Sequence, residues 1–350
     1  MKQKILALLL MVIMLLPSCS QQSNIDDLDD TGNGTDDTTE IITFDISTPI
    51  QSPESIETEP PSDIDEPEFL LEIQEIIRET ALPPKFDILE NSGKELQAFG
   101  NFDEELLDKL EKLLQSYDKN IAIAIWSING MKALSYNTQA RFPTGCTIKM
   151  PYFYYVCTEF DKGNDSPSSI MTYEEKYFQN GSGKIRYKEY GTKYKLSDLI
   201  HLGLSISDNV AYKMLFSRFG TRGYNAFASE RGWGSIKLKG MWLKKANPVD
   251  FIKVWSEIYE YFKTGNPSVE MLKKACTNTA YSYIHQGLGK VDYSHKSGNQ
   301  YLPNATCSDA GIMWTGNQYI YAVFTNSEGE KSDYKMIKDA FVIIQQLMNA

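Results

Sequence analysis

Three short runs carry the side chains able to do chemistry in this chain of 350 residues. The first, Cys146-Thr147-Ile148-Lys149, sets a thiol three residues before an amine. The apolar stretch after it predicts a helix to about Phe160, so both groups fall on its first turn. A thiolate there is favoured by the helix dipole and by the ammonium one turn on; a cysteine that starts near ~8.5 can fall well below 7 in such a setting. Acyl transfer asks for such a nucleophile, a proton acceptor in reach, and two donors where an oxyanion develops. The plainer reading of a lone cysteine at a helix start is a small buried hydrophobe. Ser207-Asp208-Asn209 follows 61 residues after Cys146, and Lys296-Ser297-Gly298 starts another 89 further on. Alone, the middle run also reads as a helix N-cap, since all three residue types cap well. The last run alone also reads as a solvated strand end.

The elements that must hold these runs are legible from hydrophobic period and turn chemistry. Residues 103–117 predict a helix with Asp103 as N-cap and Leu106, Leu107, Leu110, Leu113 and Leu114 on one face. Residues 121–127 and 132–136 read as strands joined at Asn129-Gly130, a strong hairpin signal. Helices are expected at 196–205 and 210–219, either side of a break at Ser207-Asp208-Asn209, and again at 248–262 and 269–276. Residues 293–297, 305–314 and 319–325 read as strands, and 332–348 as a closing helix. This order describes an α+β fold: one antiparallel sheet built from both chain ends, flanked by helices, with an all-helical lobe inserted between its second and third strands.

Ahead of the folded part, Lys2 and Lys4 precede an apolar run from Ile5 to Leu16, then Pro17-Ser18-Cys19. This is the layout of an export signal over residues 1–18, too short for a permanent span of about 20 apolar residues. The cysteine after the small residue resembles a bacterial lipobox, which implies lipidation of Cys19 and an anchor on the extracytoplasmic face of the cell membrane. The alternative is an ordinary cleaved signal with a coincidental cysteine. Residues 20–68 hold fifteen Asp and Glu and no Lys or Arg, a composition expected to stay unfolded as a tether. The formal charge of −11 therefore belongs to the tether, since residues 69–350 carry 33 basic and 31 acidic residues. Such a balance gives no nucleic-acid footprint. Apolar residues at helical spacing between Glu68 and Thr80, stopped by Pro83-Pro84, predict an extra helical segment within 69–99, ahead of a domain at 100–350.

Besides Cys19 there are four cysteines, Cys146, Cys157, Cys276 and Cys307, and outside the cytoplasm a Cys276–Cys307 pair is allowed though not fixed by sequence. The three histidines, His201, His285 and His295, have no paired spacing, so no metal site is expected. No cofactor is implied, and the chain is expected to be a monomer.

Together and in this order, the three runs resemble the class A β-lactamases and their wider kin of penicillin-recognising proteins, with a cysteine where that family has serine. Arg141-Phe142-Pro143, Gly181-Ser182-Gly183 and Ser308-Asp309-Ala310-Gly311 add to the resemblance, which spans roughly residues 100–348. It implies Cys146 as nucleophile, Lys149 as proton acceptor or tuning charge, and Ser207 as proton relay. Asn209 would bond the substrate amide, and Lys296 and Ser297, with Gly298 beside them, would hold its carboxylate. The backbone N–H groups of Cys146 and Asn299 would form the oxyanion hole. His295 is expected to be a packing neighbour and Asp309 structural.

Two departures stand out. Sulfur is larger than oxygen and its bond to carbon longer, and small misplacements of reacting atoms are costly. The family also places a Glu-x-x-Asn segment after the middle helices, where the Glu activates the hydrolytic water. Between Phe219 and Pro248 the only acid here is Glu230, with Trp233 rather than Asn three residues on. The first reading is thus a hydrolase-like domain that takes the acyl group of β-lactams or related donors onto Cys146 and releases it slowly. The alternative is a non-catalytic relative that binds penicillin or cell-wall peptide as sensor or scaffold.

Overall fold

The computed structural model describes residues 86–350 apart from 244, 278, 283 and 302–304. The export signal, Cys19, the tether and the helix expected between Glu68 and Thr80 lie outside the described residues. The strands are β1 (Gln97–Phe99), β2 (Ile121–Ser127), β3 (Ala133–Tyr136), β4 (Ile170–Thr172), β5 (Lys193–Lys195), β6 (Tyr293–Gln300), β7 (Thr306–Met313) and β8 (Tyr319–Thr325). The helices are α1 (Glu104–Gln115), α2 (Lys149–Asp161), α3 (Leu196–Ser205), α4 (Asn209–Phe219), α5 (Arg222–Glu230), α6 (Pro248–Tyr261), α7 (Val269–Thr277) and α8 (Lys331–Asn349).

Six strands form one antiparallel sheet in the order β1-β3-β2-β8-β7-β6. Its central strands are apolar on both faces because both faces are covered. In β2, Ile121, Ile123 and Ile125 join the core that contains Leu110, Leu114 and Phe341 of α1 and α8, while Ala122, Ala124 and Trp126 join the one under α6. β8 repeats this, with Tyr319, Tyr321 and Val323 on the first face and Ile320, Ala322 and Phe324 on the second, the period of two that a pleated strand requires. Asp103 caps α1 by accepting from the Leu106 N–H at 3.0 Å, and Asn247 and Pro248 start α6 in the same economical way.

The lobe between β3 and β6 is built around α2, from which ten residues are buried. A helix apolar nearly all round belongs at the centre of its neighbours. The lobe also carries a two-stranded ribbon of β4 and β5, whose three-residue strands are too short to show a period. The described part of the segment set apart as 69–99 is not helical. Residues 86–99 form a one-turn 3-10 helix at Asp87–Leu89 and then the edge strand β1, with Leu89 fully buried. No disulfide joins Cys276 and Cys307; both are thiols. The reason is topological, because Cys307 faces the α1/α8 core and Cys276 the other.

Candidate active site

The chain reaches Cys146 through a 3-10 turn, Gly145–Ile148, that runs directly into α2. The turn is pinned from three directions. Phe142 and Ala246 bridge as an isolated antiparallel pair, Thr144 Oγ1 donates to Leu243 O at 3.2 Å, and Ser308 Oγ donates to Thr144 O at 3.2 Å. Strand β6 passes so close that a Cβ added to Gly298 would lie 2.8 Å from the Cys146 amide nitrogen. A Cβ on Gly145 would lie 3.2 Å from that of Asn299. The two amides expected to form an oxyanion hole thus border one point, and only glycine fits at 298.

Lys149 is fully buried, yet its ammonium has three partners. It donates to Ser207 O at 2.6 Å, Asn209 Oδ1 at 2.7 Å and Ser207 Oγ at 3.3 Å. The Cys146 thiol reaches the same Asn209 oxygen, Sγ to Oδ1 3.9 Å. Ser207 sits at φ 58°, a left-handed conformation that costs a non-glycine residue about 1–2 kcal/mol. What holds it there is Asp208. One carboxylate oxygen accepts from the N–H groups of Val210 and Ala211 at 2.9 and 3.0 Å, capping α4. The other accepts from those of Lys184 and Ile185 at 2.7 and 2.9 Å, clamping the loop that opens with Gly181. Gly183, at φ 106°, lies against that carboxylate, and a Cβ there would overlap it. The middle run is therefore both an N-cap and a site segment.

On the opposite wall, Lys296 Nζ donates to Ser297 O at 2.7 Å and Ser297 Oγ donates to Tyr281 O at 3.0 Å. His295 and Asp309 hold each other behind this strand at 2.9 Å, both fully buried, so neither side chain enters the cleft. The cleft itself has a volume of about 330 Å³ and is lined by Cys146, Ser182, Ser207, Ser297 and Asn299, with Tyr281, Tyr301 and Tyr334 at its rim. Burial by itself would raise the Cys146 thiol, but the charges of Lys149 and Lys296 and hydrogen bonds from Ser207 and Lys149 outweigh it and hold it below its ordinary value. Burial lowers Lys149, against the opposing pull of Cys146 and Asp208. Burial also brings Lys296 down to about 8, Cys146 opposing and Lys149 adding to the shift. A thiol held towards its ionised form beside a buried amine is the charge arrangement that acyl transfer asks for.

Residues 105–346 match the model of the β-lactamase enzyme family. The chain belongs to that family. The β-lactamase VEB-1 of Pseudomonas aeruginosa is 23% identical over 263 residues, covering 66% of this chain and 86% of that protein. Among solved structures, a β-lactamase from Sphaerobacter thermophilus superposes with a TM-score of 0.64 at 19% identity, over 71% of this chain and 98% of that one. A variant of PBP-A, solved as its acyl-enzyme complex with penicillin G, gives 0.61 at 18% identity, over 69% and 96%.

Within this β-lactamase-family domain, the structure brings Cys146, Lys149, Ser207, Asn209, Lys296, Ser297, Gly298 and Asn299 to one cleft or its immediate walls. Sequence reasoning missed four participants. Asp208 does more than cap, Tyr281 and Tyr334 shape the rim, and Trp242 lies over Lys149, its ring 5.7 Å from Nζ. Trp242 comes from the loop 231–247, which holds no Asp or Glu. Met241 O accepts from Tyr212 OH at 2.7 Å, and the Trp242 and Tyr212 rings stand 5.3 Å apart. Glu230 is the last residue of α5, faces solvent and pairs with Arg231 at 3.6 Å. Among the described residues, the carboxylate acting on Lys149 is Asp208, and its oxygens are already taken by four N–H groups.

Proposed function

We propose that this protein captures the acyl group of β-lactams, or of related cell-wall peptide donors, as a thioester on Cys146 and hydrolyses it slowly. The observation that carries this reading is the placement of the Cys146 sulfur in an open cleft between two buried lysines that lower its pKa. In the acylation step the thiolate attacks the carbonyl carbon, a C–S bond forms, and the amide C–N bond breaks. The thiol proton, held by Lys149, passes by way of Ser207 to the departing nitrogen. The Cys146 and Asn299 amides would take the oxyanion, Asn209 the substrate amide, and Lys296 with Ser297 the carboxylate. Hydrolysis then needs water to add to the thioester carbon, break the C–S bond and return a proton to sulfur. Among the described residues, an indole meets the loop side of Lys149 and the one carboxylate acting on it, Asp208, is fully engaged, which supports slow release.

The amino-terminal sequence supports export, lipidation at Cys19 and a tethered position outside the membrane. That geometry would present the cleft to cell-wall fragments and antibiotics. Intact-mass spectrometry after exposure to penicillin tests the reading. A stable adduct is expected, absent from Cys146→Ala. Saturable penicillin binding that survives Cys146→Ala, with no adduct and no turnover, would instead make the protein a binder.

A further inference from the structure

A second groove, of about 400 Å³, opens beside the cleft, bordered by Tyr281, Ser282, Lys331, Tyr334, Lys335 and Lys338. It adjoins the site, since Tyr281 and Tyr334 line both spaces. These two residues stand between the spaces, and each is bonded to the reaction site, Tyr281 through its backbone and Tyr334 through its side chain. Tyr281 O accepts from Ser297 Oγ at 3.0 Å, and Tyr334 OH accepts from Asn299 Nδ2 at 2.6 Å. The groove therefore begins at the end of the cleft where Lys296 and Ser297 stand.

Its far wall is one face of α8. Lys331, Lys335 and Lys338 recur at the spacing that stacks side chains along a helix. The acids of this helix do not line the groove. Asp333 is fully buried and accepts from Tyr117 OH at 2.6 Å and Lys119 Nζ at 3.0 Å, and Asp339 pairs with Lys335. Glu330, just before the helix, reaches Lys119 at 3.3 Å. No carboxylate lines the groove among the described residues. Lys331 and Lys338, with Lys335 partly offset by Asp339, put net positive charge on a concave surface, in a folded part whose charges otherwise nearly cancel.

We infer that this groove is an anion subsite for the substrate's leaving portion, so that the preferred acyl donor carries a second carboxylate beyond the one Lys296 and Ser297 would hold. This rests on the acylation reading above. A donor with one carboxylate engages Lys296 alone, whereas a dianion spans the Tyr281–Tyr334 partition and engages α8 as well.

The test uses the full chain and two cephalosporins that differ only in a neutral or carboxylate-bearing leaving arm. Second-order rate constants for adduct formation are read by intact mass at low salt. The dianion is expected to react roughly 5- to 20-fold faster, given what several exposed ion pairs contribute together. The preference should shrink in 0.5 M NaCl, where the Debye length is a few ångström, and in K331Q/K335Q/K338Q. Equal rates, or a preference untouched by the triple variant, would overturn the proposal while leaving acylation standing. If neither compound forms an adduct, the acylation reading fails, and titration with citrate decides the subsite. Saturable citrate binding lost in K331Q/K335Q/K338Q upholds it; no binding, or binding unchanged in that variant, overturns it.

Discussion

The two sides of Lys149 are built from different chemistry. Towards α4 the ammonium meets a carbonyl, a hydroxyl and an amide oxygen, all within 3.3 Å. On its other side it meets the faces of Tyr212 of α4 and of Trp242 from the loop 231–247, at 5.8 and 5.7 Å. The first side suits taking a proton from a nearby thiol. The second can stabilise a cation through its π-faces but cannot activate water. Under the proposed reaction, the contrast would make forming and clearing an acyl-enzyme separable. The groups for the first are hydrogen-bonded together, and the side facing the loop is aromatic.

The largest expected effect comes from removing the group both sides share. Lys149→Met keeps much of the volume and deletes the charge. Adduct formation on Cys146 should slow by about 10²–10³-fold, the usual worth of a positioned acid–base group. Stability should fall by about 1–3 kcal/mol, since Ser207 O and Asn209 Oδ1 lose a buried donor. Stopped-time intact mass, with a melting curve to show that the variant is folded, checks both. A rate within threefold of the parent would remove Lys149 from proton transfer.

The next comparison sets a glycine on the polar side against one on the loop side. Gly183 has φ 106° and presses on Asp208, whereas a Cβ on Gly240 would meet nothing within 4 Å. Gly183→Ala should cost about 2–4 kcal/mol, through strain and displacement of the four-bonded carboxylate. Gly240→Ala should stay within about 0.5 kcal/mol. Urea unfolding of the two variants measures the difference. Similar costs would mean that the Asp208 clamp does not organise the site.

Much of this polar side was readable in the sequence, and little of the apolar side was. The three runs, the Asp103 cap and the alternation of β2 are local signals, and the elements carrying them fall within a few residues of expectation. Ser207 in a left-handed conformation has no local signature, because it is held by Lys149 and by the Lys184 and Ile185 amides that bind its neighbour Asp208, all distant in sequence. Gly181 and Gly183 were noticed as companions of the site, but their reason, contact with Asn209 and Asp208, is tertiary. Trp242 is a single aromatic in a loop without period, and nothing near it in sequence points to Lys149. β1, β4 and β5 are three residues each, below the length at which alternation can be counted.

Replacing the apolar side is the direct way to break the contrast. Trp242→Glu puts a carboxylate where the indole faces Lys149, and the Cys146 adduct should clear about 10-fold faster, a fraction of what an optimised general base supplies. Trp242→Gln separates gain of a base from loss of the ring, and its adduct should outlast that of the Glu variant. Decay of adduct mass after excess β-lactam is removed gives both lifetimes. Equal lifetimes in the Glu and Gln variants would show that the missing carboxylate does not limit release.

The smallest effect concerns pH, and here the opposite wall of the cleft matters. Lys296 titrates at about 8 because it is buried, so it is largely charged at pH 7 and largely neutral at pH 9. The Cys146 thiol is held below its ordinary value, so its thiolate forms at lower pH than that of a free cysteine. Capture of a carboxylate-bearing β-lactam should therefore fall by roughly threefold or more as pH passes about 8 and Lys296 loses its charge, on top of the rise that thiolate formation gives. An acyl donor without a carboxylate should show the rise alone. The same shift has a stability consequence of definite sign. Between about 8 and the ordinary lysine range the native state binds fewer protons than the unfolded chain, so this group favours folding increasingly as pH rises through that window. A falling limb shared by both donors would place the titration on Lys149 or the thiol, and would separate Lys296 from carboxylate recognition.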